Sequence, residues 1–238
     1  MVFPRPIEAV VFDMDGLLID SEGLVREGML LAAANLGFEM PLALCASMIG
    51  LPQAQGIKKI SEHFGPDFPL ERYLTEEHHQ IDLLLAEGIA LKTGVLELLD
   101  HLDRIGLPRA VATSSSRANA REHLSHNGVY ERFQVIVARE DVERHKPHPD
   151  PFLKAAALLG VAPANCLALE DSHNGVRAAH AAGMMTVMVP DLLEPTDEMH
   201  DKCVLIAESL HRVLELIDGP SGAPRPERPD TIPHPTSS

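Results

Sequence analysis

Five short runs, Glu8–Phe12 (EAVVF), Arg109–Thr113 (RAVAT), Gln134–Ala138 (QVIVA), Cys166–Glu170 (CLALE) and Met185–Val189 (MTVMV), are apolar without period-two alternation. Runs of this kind, rich in Val, read as strands buried on both faces. Between the later ones apolar residues recur at helical spacing: Leu96, Leu98, Leu99, Leu102 and Ile105, then Ala118–His126, Phe152–Leu159 and Val176–Ala182. Strand and helix alternate, which predicts a parallel sheet with right-handed crossovers and helices on both faces. Gly106, Gly128, Gly160 and Gly183 sit where those helices should stop. Glycine adopts the left-handed conformation that ends a helix.

Between the first run and the second, from Leu17 to about Lys92, the rhythm breaks: several helical patterns occur and no Val-rich strand. Ser21, followed by Glu22, can cap a long helix through Leu36 with Gly37 at its end, and further helices are predicted over Leu42–Ile49, Gln53–Phe64 and Leu70–Ala86. The division that follows is an α/β core over 1–16 and 92–218, a helical insert over 17–91 on linkers near Ile19 and Leu91, and a tail over 219–238. The tail holds six prolines and almost no large apolar group, so it is expected to stay flexible. No internal repeat is evident.

Composition narrows the function classes. In 238 residues, 45% hydrophobic and 23% charged, Lys+Arg 20 against Asp+Glu 35 leaves a net charge of −15. Such a surface repels phosphate backbones and anionic headgroups, which disfavours nucleic-acid and membrane-surface roles. Cys45, Cys166 and Cys203 show no metal or disulfide spacing, and no apolar run near the N-terminus suits a signal peptide or a membrane span. A cytoplasmic protein is the expectation.

The first strand ends in Val10-Val11-Phe12-Asp13-Met14-Asp15-Gly16. Period-two geometry sends Asp13 and Asp15 to one side while Met14 turns to the core. Ligands of open α/β sheets sit beyond the carboxyl ends of the strands, where both acids lie. Two carboxylates so close repel, and a shared cation or proton relieves them; alone, the pair could equally cap the next segment. Three other strand ends shift the balance. Thr113-Ser114-Ser115-Ser116-Arg117 opens a helix, offering hydroxyls and free N–H groups to an anion. Lys146 lies in a loop stiffened by Pro147 and Pro149, and Glu170-Asp171 ends the fourth strand ahead of Ser172-His173-Asn174-Gly175.

In this order the four strand ends resemble the motifs of the haloacid dehalogenase superfamily: DMDG (Asp13–Gly16), Thr113, Lys146 in KPHPDPF, and Glu170-Asp171 in EDSHNGV, over about residues 7–217. Its wording is most similar to the branch of phosphoglucomutase-like proteins and pseudouridine and sugar phosphate phosphatases. The resemblance implies an α/β fold, a Rossmann-like parallel sheet with an inserted all-helical cap domain, and a phosphatase acting on a small phosphorylated metabolite. Asp13 would be the nucleophile that forms an aspartyl-phosphate and Asp15 the general acid and base. Gly16, Thr113, the Ser114 N–H and Lys146 would hold the phosphoryl group. With Asp13, Glu170 and Asp171 ionised and Lys146 charged the site stands near −2, which calls for a divalent cation; Mg2+ suits oxygen ligands from Asp13, the Asp15 carbonyl and Asp171, with Glu170 in a supporting role.

Weaker candidates remain. His78 and His79 fall in the cap, where neighbours on a helix diverge and a solvated role is expected; His145 and His148 flank Lys146 without the partners zinc needs. Cap residues Ser47–Gln53, around Gly50, fall where related caps present a substrate-contacting loop, but Met48, Ile49, Leu51 and Gln53 do not spell out a ligand. A phosphomutase of the β-phosphoglucomutase type is the alternative. That branch commonly carries His twelve residues after the nucleophile, and Val25 stands there. A true dehalogenase would lack Asp15, and a non-enzymatic phosphate-binding protein would be expected to lack one of Asp13, Asp15 and Lys146.

Overall fold

The structure, a computed structural model, describes residues 3–48 and 53–218. The predicted tail, the loop around Gly50 and the side chain of Gln53 lie outside the described residues. Strand β1 (Ala9–Phe12) is followed by helices α1 (Ser21–Asn35), α2 (Leu42–Met48), α3 (Gln53–Phe64), α4 (Leu70–Glu87) and α5 (Val95–Arg104). Then come β2 (Arg109–Ala112), α6 (Arg117–His126), β3 (Val135–Val137), α7 (Asp150–Leu159), β4 (Cys166–Glu170), α8 (His173–Ala181), β5 (Met185–Met188), α9 (Asp197–Lys202), β6 (Leu205–Ile206) and α10 (Leu210–Asp218). No described helix is long and apolar enough to cross a membrane.

The six strands form one sheet in the order β3-β2-β1-β4-β5-β6, and every pairing is parallel. β1 is central and buried along its whole length. Its alternating residues serve two cores. Val10 and Phe12 join Leu98, Leu99, Leu102, Leu124 and Val213 on the face covered by α5, α6 and α10. Ala9 and Val11 join Phe152, Ala155, Ala156, Ala178 and Ala179 on the face covered by α7 and α8. Small alanines on that second face let two helices approach the strands closely. The continuous apolar runs are thus explained by burial on both sides.

Helices α1–α4 form a third apolar cluster, with Met29, Cys45, Met48, Ile60, Phe68 and Tyr73 buried at its centre. The connecting strands of chain run side by side: the Asp20 N–H donates to the Ala90 carbonyl at 2.9 Å, and the Lys92 N–H to Leu18 at 2.9 Å. Ile19 and Leu91, where the linkers are expected, form an antiparallel bridge.

Three details differ from the sequence expectation. Asp20, not Ser21, caps α1, its carboxylate accepting from the Gly23 N–H at 3.3 Å. β6 has only two residues and half-buried side chains, too short for its run to register as a strand. α10 does carry apolar residues at helical spacing, Leu210, Val213 and Ile217. Gly37, Gly106, Gly128, Gly160 and Gly183 all have positive φ, as their positions after helices predict.

Candidate active site

Strand order alone brings the motifs together. Chain direction reverses its lateral progress at β1, which lies between β2 and β4, so the carboxyl ends of three neighbouring strands supply Asp13, Thr113 and Glu170-Asp171. Such a switch point is where an open parallel sheet forms its crevice. The register is tight: Phe12 pairs with both Val111 and Leu169, and the Asp13 N–H donates to the Leu169 carbonyl at 2.9 Å. Met14 turns into the core with no exposure, as the alternation predicts, while Asp13 is buried and Asp15 half-buried.

Asp13, Glu170 and Asp171 are all buried and present oxygens within 4.8 Å of one another. Lys146 reaches them from the loop ahead of α7, its Nζ donating to Asp13 Oδ1 and to Glu170 Oε1. It also lies 5.0 Å from the centre of the Phe152 ring, so its stem is walled by the helix that follows. Burial opposes the Lys146 charge, but Asp13 and Glu170 outweigh it and hold the ammonium above its usual range. Burial, with the charges of Glu170 and Asp15, pushes the Asp13 carboxyl up against the pull of Lys146. Asp171 is pushed up too, by burial and then by Asp13, Glu170 and Glu22. Three buried carboxyl groups face one ammonium, and no second cation pairs with them among the described residues.

Two glycines permit this crowding. At Gly16, where φ is +82, a Cβ would stand 2.2 Å from Asp171 Oδ2; at Gly175 it would stand 1.9 Å from Glu170 Oε1. Gly16 was singled out for phosphate, and the structure gives it this further reason to be glycine. Gly175 gave no chemical signal in sequence, since its role is to leave room. Ser172 completes the fit: its hydroxyl donates to Glu170 Oε2 at 3.1 Å and accepts from the Gly175 N–H at 3.1 Å, capping α8.

On the β2 side Thr113 is buried. Its hydroxyl donates to Asp15 Oδ2 at 3.3 Å and accepts from the Ser115 N–H at 2.9 Å. Ser115, which sequence reasoning left unassigned within the Ser run, donates to Asp15 Oδ2 at 2.7 Å. Ser114 is exposed at the same rim, and Ser116 caps α6 through the Asn119 N–H.

A second group was not foreseen. Lys92 Nζ donates to Asp191 Oδ1 at 2.6 Å and contacts Asp20 Oδ1 at 3.5 Å, joining the loop after β5 to both linkers. Glu22, in the first turn of α1, has its carboxyl pushed up to about 7, by burial first and then by the charges of Asp191, Asp15 and Asp20, with Lys92 opposing. These residues come from three segments far apart in the chain, and only the Ser21-Glu22 start of α1 had any visible sequence role. The weaker candidates stay apart: His78, His79, His145 and His148 are all exposed, His78 bonding to the Leu74 carbonyl on its own helix. Val25 packs against the helical cluster.

The donor set fits a divalent cation. Three buried carboxyl groups clustered at the carboxyl ends of adjacent central strands match the all-oxygen coordination of hard cations.

A sequence model of haloacid dehalogenase-like hydrolases matches residues 10–189. The fructose-1-phosphate phosphatase YqaB of Escherichia coli is 33% identical over 183 residues, 76% of this chain and 95% of YqaB. The phosphorylated carbohydrates phosphatase of Thermotoga maritima is 31% identical over 178 residues, 75% of this chain and 82% of that protein. The crystal structure of a haloacid dehalogenase family hydrolase from Deinococcus radiodurans, with bound phosphate and sodium, superposes with a TM-score of 0.76 at 26% identity, over 87% of this chain and 93% of that one. With Asp13, Thr113, Lys146 and Glu170-Asp171 converging at one sheet edge within the matched span, the chain belongs to the haloacid dehalogenase-like hydrolases.

Proposed function

We propose that the protein is a Mg2+-dependent phosphatase that hydrolyses a small phosphomonoester through an aspartyl-phosphate on Asp13. The observation that carries this reading is the Asp13–Lys146–Glu170 contact beside Asp171, with Asp15 oriented by Thr113 and Ser115. Similarity to phosphatases of fructose 1-phosphate and other phosphorylated carbohydrates supports a sugar phosphate or a related ester.

Asp13 Oδ1 is held by Lys146, which leaves the other carboxylate oxygen to attack phosphorus in line with the leaving oxygen. Lys146 then offsets charge on the transferring phosphoryl group. Thr113, the Ser114 N–H and Gly16 would receive phosphoryl oxygens. Asp15 gives its proton to the leaving alkoxide and afterwards takes one from the attacking water; hydroxyls of Thr113 and Ser115 fix its carboxyl for both tasks. Asp13, the Asp15 carbonyl and Asp171 would hold Mg2+, with Glu170 engaged by Lys146 and Ser172 and therefore in a supporting role. When bound, the cation neutralises the carboxylate cluster and the incoming phosphate dianion and orients both. Residues 17–91 serve as a lid that excludes water during phosphorylation of Asp13, hinged at the paired linkers.

Asp13→Asn is expected to abolish turnover of p-nitrophenyl phosphate while preserving the fold, measured by steady-state rate and circular dichroism. Activity within tenfold of the parent protein would refute the assignment. Chelation is expected to silence the enzyme and Mg2+ to restore it; undiminished activity in chelator would refute the metal requirement.

A further inference from the structure

Glu170 takes no step of its own in the chemistry above, yet its fully buried carboxyl is held from both sides. Lys146 Nζ donates to Oε1. Oε2 accepts from the Ser172 hydroxyl at 3.1 Å and from the Ser172 N–H at 3.4 Å. Ser172 Oγ in turn accepts from the Gly175 N–H at 3.1 Å, so the hydroxyl hydrogen is the part left to face Glu170. Capping α8 asks for less than this. A cap needs only a side-chain oxygen that accepts from the first turn, and Asp, Asn, Ser and Thr all supply one. An aspartate in place of Ser172 would cap the helix and repel Glu170, whereas a hydroxyl accepts from the helix and donates to the carboxylate at once.

The second of these bonds reaches Asp13 through one intermediary. The Lys146 side chain is only 6% exposed, lies beside the Phe152 ring, and spans Asp13 Oδ1 and Glu170 Oε1 with its ammonium. A buried acceptor that loses its donor is costly, so without the Ser172 hydroxyl the Glu170 carboxyl would turn. The ammonium would then follow Glu170 away from Asp13 or swing across both Asp13 oxygens, and either shift draws the attacking oxygen out of line. Resting on the phosphatase reading, we propose that Ser172 is a positioning residue: its hydroxyl holds Glu170 on Lys146, so that Lys146 engages Asp13 through one oxygen and leaves the other to attack.

The test follows single-turnover release of p-nitrophenolate from p-nitrophenyl phosphate, which reports attack by Asp13, in the full-length Mg2+-loaded protein and its Ser172→Gly, Ser172→Ala and Ser172→Thr variants. The first two remove the hydroxyl, but Ser172→Ala weakens the helix start more than Ser172→Gly does. Their urea-unfolding midpoints should therefore differ while their maximal rates fall together, by about tenfold to a hundredfold. The half-saturating concentration should stay within about threefold of that of the parent protein, since a loss confined to the maximal rate marks an interaction that serves the transition state. Ser172→Thr keeps the hydroxyl and should hold the maximal rate within about threefold of the parent value. A Ser172→Gly protein as fast as the parent protein, losses that track the unfolding midpoints, a loss expressed only in the half-saturating concentration, or a Ser172→Thr protein as slow as Ser172→Gly would overturn the proposal while the phosphatase reading stands. No release by the parent protein would overturn both.

Discussion

Replacing Gly175 with Ala tests the packing on which the carboxylate cluster depends. Within a helix this substitution ordinarily stabilises, because Ala is favoured over Gly by about 0.8–1.0 kcal/mol. Gly175 lies within α8 with ordinary helical φ, so no backbone strain enters. The added Cβ, however, would stand 1.9 Å from Glu170 Cδ and Oε1 and 2.0 Å from Oε2, whereas carbon and oxygen ordinarily pack at about 3.4 Å or more. Glu170 would have to retreat by about 1.5 Å, yet it is fully buried and tied to Lys146 and Ser172. Overpacking of this kind costs about 1–3 kcal/mol, so the helix preference should be cancelled or reversed, leaving a net loss of up to about 2 kcal/mol. Displacement of Glu170 also drags Lys146 from Asp13, and a misplacement of about 1 Å commonly costs about a hundredfold in rate. Gly56→Ala in α3 is the control, since the nearest atom to its Cβ is Met48 Sδ at 4.0 Å; it should stabilise by a few tenths to about 1 kcal/mol. Urea unfolding followed by circular dichroism gives the stabilities, and p-nitrophenyl phosphate turnover the rate. A Gly175→Ala protein as stable and as active as the Gly56→Ala control would refute the packing argument.

Lys146→Met should lower stability at neutral pH in metal-free buffer by about 3–5 kcal/mol, because it strands buried carboxylates without their cation; a urea-unfolding loss below about 1 kcal/mol would contradict this. Glu22 contributes a pH dependence of defined sign. Its folded-state pKa of about 7 lies above the ordinary 4.5, so the folded protein binds the proton more tightly and that stabilisation, complete below about pH 4.5, is lost as pH rises through about 7. Glu22→Gln should therefore gain stability relative to the parent protein between pH 4.5 and 7.5, and a difference in unfolding midpoint that stays flat across that range would show that the carboxyl is not perturbed.

The sequence by itself determined five of the six strands, because burial on both faces demands apolar runs such as Val10–Phe12 and Leu167–Leu169, and it determined the core helices α5 to α8, where the helical period and the terminal glycines agree. It also marked Asp13, Asp15, Thr113, Glu170 and Asp171 at the ends of apolar runs and Lys146 in a proline-stiffened loop, but it was their combination and its resemblance to a family that gave them roles, since each alone could have been a cap or solvated surface. Their convergence was decided by the strand order, which sets β2 and β4 on either side of β1. Asp20 displaced Ser21 as the helix cap because the linker pairing with Ala90 fixes where α1 can start. Gly175 became essential only when α8 folded back onto Glu170. Lys92 meets Asp20 and Asp191 across 72 and 99 residues, and Glu22 acquires its burial and its charged neighbours from that same meeting. No local period or spacing records such contacts, because they are created by packing one segment against another after each has taken its own shape.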